Sequence, residues 1–161
     1  MSRAVVVDVS KWTDKTTKAI ASLDKLAIDI SLIVSMAIIK EIAEDLAKES
    51  AARAPVETSL LESSHKTSIK TNSSNDVTGI VYLKGSGPAS KTSQRSKNVQ
   101  DYVLAMHEGR YRLGKLSLEK QASSGVMIGP KFLERALYDN IYKYNQMIVD
   151  GIAKAFRKGV G

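Results

Sequence analysis

The sequence predicts an α+β fold in which a small antiparallel sheet is covered by two long helices, one N-terminal and one C-terminal. Apolar residues recur at helical spacing from just after Thr13 to about Arg53, and again, more regularly, from Phe132 to Phe156. Between these stretches, two β-forming runs flank Asn72-Ser-Ser-Asn-Asp76, the pattern of a hairpin.

A chain of 161 residues can bury about 70% of its extended surface in one core, so one domain over residues 1–161 is expected. With 43% hydrophobic and 25% charged residues, the composition is that of a globular protein and excludes wholesale disorder. There is no cysteine, which rules out a disulfide scaffold and thiolate chemistry. Arg3-Ala-Val-Val-Val7 is followed at once by Asp8 and Lys11, unlike a signal peptide, so synthesis in a reducing cytoplasm is expected. The longest apolar run, Leu26 to Ile39, is 14 residues with Asp29 inside it, too short and too polar for a membrane crossing.

The net charge of +7 is unevenly placed. Residues 1–80 hold ten Lys/Arg against eleven Asp/Glu, whereas residues 81–161 hold fourteen against six. Lys84 to Lys120 alone carries eight basic and three acidic residues, a surface suited to phosphate or to an acidic protein. A solvated face is the commoner meaning of such a run.

Taken in order, Ala4 to Val9 is a β-branched run that reads as a strand or as part of an arm, residues 1–12, pairing with a neighbouring subunit. The first helix is expected after Thr13 with Asp14 as its cap, and Ser22-Leu-Asp24 offers a break where a second helix could be capped. Around residues 30–39 nearly every helical face is apolar, where a surface helix would show a stripe, so Ile28, Ile33 and Ile38 are read as contact residues. Pro55 lacks an amide donor and disfavours helical geometry at Ala54, which should end the helix there.

The hairpin is expected over 65–83. Lys84 to Asn98 has no aliphatic side chain larger than alanine and reads as a long loop whose Lys84, Lys91, Arg95 and Lys97 await a partner. Val99 to Met106 is taken as a third strand, 110–124 as a second loop bearing Arg110 and Arg112, and Gly125 to Gly129 as a fourth strand. Pro130 suits the first position of the last helix, on which Leu133, Leu137, Ile141, Tyr144, Ile148, Ile152 and Ala155 share a face. Arg157, Lys158 and Gly159 suit its C-terminus.

No catalytic constellation is evident. His65 and His107 have no histidine or cysteine partner at metal-site spacing, and the His107-Glu108 pair lacks a second carboxylate nearby in sequence. Gly85-Ser-Gly87 runs into proline rather than into a phosphate loop. No serine sits in a nucleophile elbow. No metal, no cofactor and no enzymatic activity are expected. A small basic nucleic-acid-binding protein using Lys84–Lys120 is the alternative reading.

Three short elements add a resemblance. Arg53-Ala-Pro-Val-Glu-Thr-Ser-Leu-Leu-Glu-Ser-Ser64 is similar to a helix-ending Arg-Ala-Pro-Val-Asp-Thr-Gly-x-Leu corner, with Arg53, Pro55, Thr58 and Leu61 matching, Glu57 in place of aspartate and Ser59 in place of glycine. Tyr102, Val103, Glu108 and Gly109 look like a strand-end element that normally reads Glu-Phe-Gly, here without the aromatic. Pro130, Phe132, Leu133 and Ala136 match a Pro-x-Phe-Leu-x-x-Ala start to the final helix. In this order they resemble the tail-completion and head–tail joining proteins of tailed bacteriophages, the family named for the HK97 gene 10 product. The resemblance implies a virion protein, made in the host cytoplasm and placed at the neck or tail. It would form a homo-oligomeric ring, a hexamer if it follows tail symmetry or a dodecamer if it follows the head connector. Neighbouring neck or tail proteins would be its partners, and genomic DNA would pass through without sequence-specific binding.

Overall fold

The computed structural model describes residues 10–56, 60–84 and 99–159. The elements in order are α1 (Ser10–Arg53), α2 (Leu60–Ser63), β1 (His65–Thr71), β2 (Val77–Leu83), α3 (Val99–Glu108), α4 (Lys115–Ser124) and α5 (Phe132–Gly159). The class is α+β, with two long helices and a two-stranded antiparallel sheet, as the periodicities predict. The expected strand Ala4–Val9, residues 1–9 of the expected arm and most of the Lys84–Asn98 loop lie outside the described residues, and residues 10–12 of that arm are the start of α1.

Helix α1 is the spine. With 44 residues it is about 66 Å long, and both α5 and the hairpin pack against it. The hairpin register pairs His65 with Leu83 and Thr71 with Val77. Its turn is held by Asn72, whose side-chain oxygen accepts from the Ser74 and Asp76 amides at 2.9 and 2.8 Å, while Asn75 takes the left-handed conformation. The sheet lies close because Gly79 faces α1: a Cβ there would come within 2.7 Å of Ile39 Cγ2. Gly151 plays the same part on α5, where a Cβ would stand 2.6 Å from the Ile38 side chain.

Helices α1 and α5 run antiparallel. Arg53 meets Asp139, Asp45 meets Lys143, and Ile38 meets Gly151 in sequence down the pair. The end of α5 reaches the level of Ala27, with which Ala155 and Phe156 share a groove. Residues 10–26 of α1, about 25 Å of helix, project beyond it.

Several expectations are corrected. Helix α1 begins at Ser10, ahead of the expected Asp14 cap, and runs unbroken through Ser22-Leu-Asp24. The Ser22 hydroxyl donates to the Lys18 carbonyl at 2.8 Å, within the helix, rather than capping a new one. Val99 to Glu108 is helical, not a third strand: Val103 and Met106, three residues apart, both turn to the core, a helical spacing that outweighed the β-branched content. Only 110–114 of the second expected loop is irregular, because Lys115–Ser124 is α4. Gly125–Gly129 is not a strand. Gly125 closes α4 in the left-handed conformation, its amide bonded to the Gln121 carbonyl, and Gly129 also has positive φ. Pro130 lies outside α5, which begins at Phe132 after Lys131 in a left-handed turn.

Candidate assembly surface

Two regions bear on function, and they differ in every physical respect. The first is a buried junction at the C-terminal end of α1. Pro55 ends the helix as predicted, and the freed carbonyls of α1 find an unexpected partner. Lys120 of α4 donates to Ala51 O at 3.0 Å and Ala54 O at 3.1 Å and pairs with Glu62, placing a cation at the negative pole of the helix. Next to it, the buried Ser117 hydroxyl accepts from the Val56 amide at 2.9 Å and reaches the Val56 carbonyl at 3.3 Å. Arg53, itself buried, donates to Glu49 at 2.6 Å and Asp139 at 3.2 Å, while its carbonyl accepts from the Gly129 amide at 3.2 Å.

The apolar centre of this junction is Ala54, Leu61, Val103 and Phe132, with Leu83, Tyr102, Met106 and Leu133 packed around it. The three sequence elements thus converge on one core. Gly109 has a clear role there: a Cβ would fall 2.3 Å from the Ala105 carbonyl, which accepts the Gly109 amide at 2.7 Å. Glu108 ties this turn to the start of α5 through Lys131, and that ion pair, followed by the hydrogen bond from His107, holds the Glu108 carboxyl below its usual range. Of the corner residues, Thr58 falls outside the described residues.

Both histidines flank Phe132, with ring centroids 5.8 Å away for His65 and 4.8 Å for His107. His65 Nδ1 lies 3.3 Å from the Glu62 carbonyl, which can only accept, so Nδ1 carries the proton. Nε2 is then free to accept from the Ser50 hydroxyl at 2.7 Å. Burial pushes the His65 pKa down, against the smaller opposing pull of the Glu62 and Leu61 carbonyls. This pair cannot act on an outside substrate, since Ser50 is fully buried and the Glu62 carboxylate is engaged by Lys120. Among the described residues no group of His, Asp and Glu is arranged to hold a metal, and no helix is long and apolar enough to cross a membrane.

The second region is the projecting end of α1 with the outer face of α5. Every residue from 18 to 31 is exposed. Of the predicted contact residues, Ile28 and Ile33 stand in solvent, Ile33 at 66% exposure, whereas Ile38 packs against Gly151. On α1, Leu23, Leu26, Ile30 and Ile33 form a stripe at alternating three- and four-residue steps, all exposed. The stripe ends where Lys40 and Glu44 form a surface ion pair. On α5, sequence reasoning grouped one face that included Ile152 but missed that Tyr138, Tyr142 and Val149 join Ile152 and Phe156 in a second stripe, with Tyr142 81% and Phe156 72% exposed. Its signal was present, since these positions share the same stepping with Asn145 between them. Near the tip the two helices border an open groove of about 600 Å³ lined by Ile30, Val34, Ile152 and Phe156.

The basic residues are less informative. Lys84, Arg110 and Arg112 are exposed, and Lys91, Arg95 and Lys97 lie outside the described residues.

Comparison with protein-family models, with curated proteins and with solved structures returned no match.

Proposed function

We propose that this chain is a structural ring subunit of a bacteriophage virion, placed at the neck or the head-proximal end of the tail, where it joins or completes the tail. The observation that carries the assembly part is the projecting apolar helix: about 25 Å of α1 lies beyond its partner with Leu23 and Leu26 in water. Large exposed apolar patches on a folded chain mark interaction surfaces. Residues 18–26 of this projection are exposed throughout, and a helix left without packing is marginal by itself, so a partner surface is what gives it stability.

The phage part rests on the resemblance, supported by the meeting of Arg53–Leu61, Tyr102–Gly109 and Pro130–Leu133 in one core. The chain then works without catalysis, metal or cofactor, as a hexamer or dodecamer through which DNA passes. Mass spectrometry of purified, complete virions from the phage that encodes it tests this reading. The expected result is the protein at a fixed multiple per particle. Its absence from complete particles sinks the reading.

A further inference from the structure

We propose that the outward stripe of α1 in one copy packs on the outward stripe of α5 in a second copy of this chain, a head-to-tail contact that repeats around the assembly. The inference rests on the ring reading for its closure, but the contact itself rests on four observations.

The first is pattern. Ala19, Leu23, Leu26, Ile30, Ile33 and Ala37 follow steps of four and three, the spacing that keeps one seam turned to a partner helix. Tyr138, Tyr142, Asn145, Val149, Ile152 and Phe156 follow the same steps. The second is length. Both seams run for eighteen residue steps, from 19 to 37 and from 138 to 156, each about 27 Å of helix. Each is therefore a full-length partner for the other.

The third is that two of the chain's own remaining segments are poor covers, which leaves residues 1–9, with Val5, Val6, Val7 and Val9, as the rival within the chain. Residues 57–59 and 85–98 contain no Val, Leu, Ile, Met or aromatic residue. Helix α5 already meets α1 along Tyr144 and Gly151, while Ile152 and Phe156 of its stripe border an open groove beside Ile30 and Val34 of α1 and stay exposed. The fourth is asymmetry. The two seams lie on different elements, so each copy offers both halves of the contact and it can repeat head to tail, closing into a ring where the rotation between copies closes. A reciprocal two-fold pair would instead stop the ladder of linked copies at two and overturn the proposal. Asn145 in the α5 seam is a polar residue at a seam position, a feature that fixes register between helices.

Engineered cysteines test the contact directly, because the chain has none of its own. With the seams aligned end to end, Leu26 faces Val149 when the partner helix runs antiparallel and Asn145 when it runs parallel. Within one copy they cannot meet: Gly151 lies beside Ile38, which places Leu26 about 20 Å from Val149 along the pair, far beyond the roughly 7 Å limit between Cα atoms of a disulfide.

The full-length double variants Leu26→Cys/Val149→Cys and Leu26→Cys/Asn145→Cys are oxidised mildly and run without reductant, beside the single variants, after thermal unfolding confirms that each folds as the wild type does. The expected result is a ladder of linked copies from at least one double variant and a single-chain band from each single variant. Efficient linking of Leu26→Cys alone overturns the proposal in favour of a symmetric contact between two α1 helices. No ladder from either double variant also overturns it, and light scattering then tells why: an oligomeric wild type points to another surface, a monomer to cover by residues 1–9. The phage reading is judged separately, since a ladder can form from a protein missing from virions, and a virion protein can fail to form one.

Discussion

The two ends of the α1/α5 pair are built on opposite principles. At the closed end, Phe132 is fully buried between two histidines, helix carbonyls are capped by Lys120, and a glycine turn allows no side chain. At the open end, the same two helices present leucine, isoleucine, tyrosine and phenylalanine to water. Both ends are apolar in composition, but only the closed end buries its apolar groups within the chain. The lesson is that hydrophobic content locates contact surface without saying whose surface it meets.

Substitutions at the two ends should therefore separate folding from assembly. The largest effect is expected from Phe132→Ala, which empties the centre of the closed end and should cost about 3–5 kcal/mol. Chemical denaturation of the isolated subunit checks it, and a loss under about 1 kcal/mol would show that this core is not what holds the chain together.

Next comes a contrast on one helix. Ile38→Asp places a carboxylate against Gly151, inside the α1/α5 contact, and should destabilise the subunit by about 2–4 kcal/mol. Ile33→Asp, five residues away and 66% exposed, should change subunit stability by no more than about 0.5 kcal/mol yet reduce association. Thermal unfolding together with light scattering distinguishes them. Equal effects on both readouts would erase the comparison.

Lys120→Met keeps the length of the side chain but removes the cation from the end of α1. Two carbonyls lose their donor and Glu62 loses its partner, for an expected cost of about 1–3 kcal/mol. Fraying of residues 48–54 in hydrogen exchange, with the open end unchanged, is the signature sought. Uniform loss of protection along α1 would argue against a local cap.

The smallest effect is one of pH. Burial depresses the His65 pKa below its ordinary value of 6.5, so between the two values the unfolded chain binds the extra proton. Stability from neutral His65 is present above pH 6.5 and is lost as pH falls through the lower folded value. His65→Gln should flatten the fall in melting temperature between about pH 7.5 and about pH 5.5, the range where an ordinary histidine titrates. An unchanged slope would assign that range to other groups.

Legibility in the sequence followed the reach of each interaction. The long helices, the hairpin with its Asn72 turn and the stop at Pro55 are set by local spacing and backbone chemistry, and all three were readable. The apolar excess of 28–39 was readable too, because a count of faces needs no coordinates. Val99–Glu108 was misread, since a short segment with two β-branched residues satisfies both periods until Val103 and Met106 are seen against Phe132. Lys120 could not be found at all: its meaning depends on Ala51 and Ala54, 69 and 66 residues away in the chain. The sequence by itself determined the two long helices and the hairpin and how much apolar surface they carry. Tertiary structure alone decided which of that surface is used inside the chain, because burial and capping are set by contacts between distant residues that no local pattern encodes.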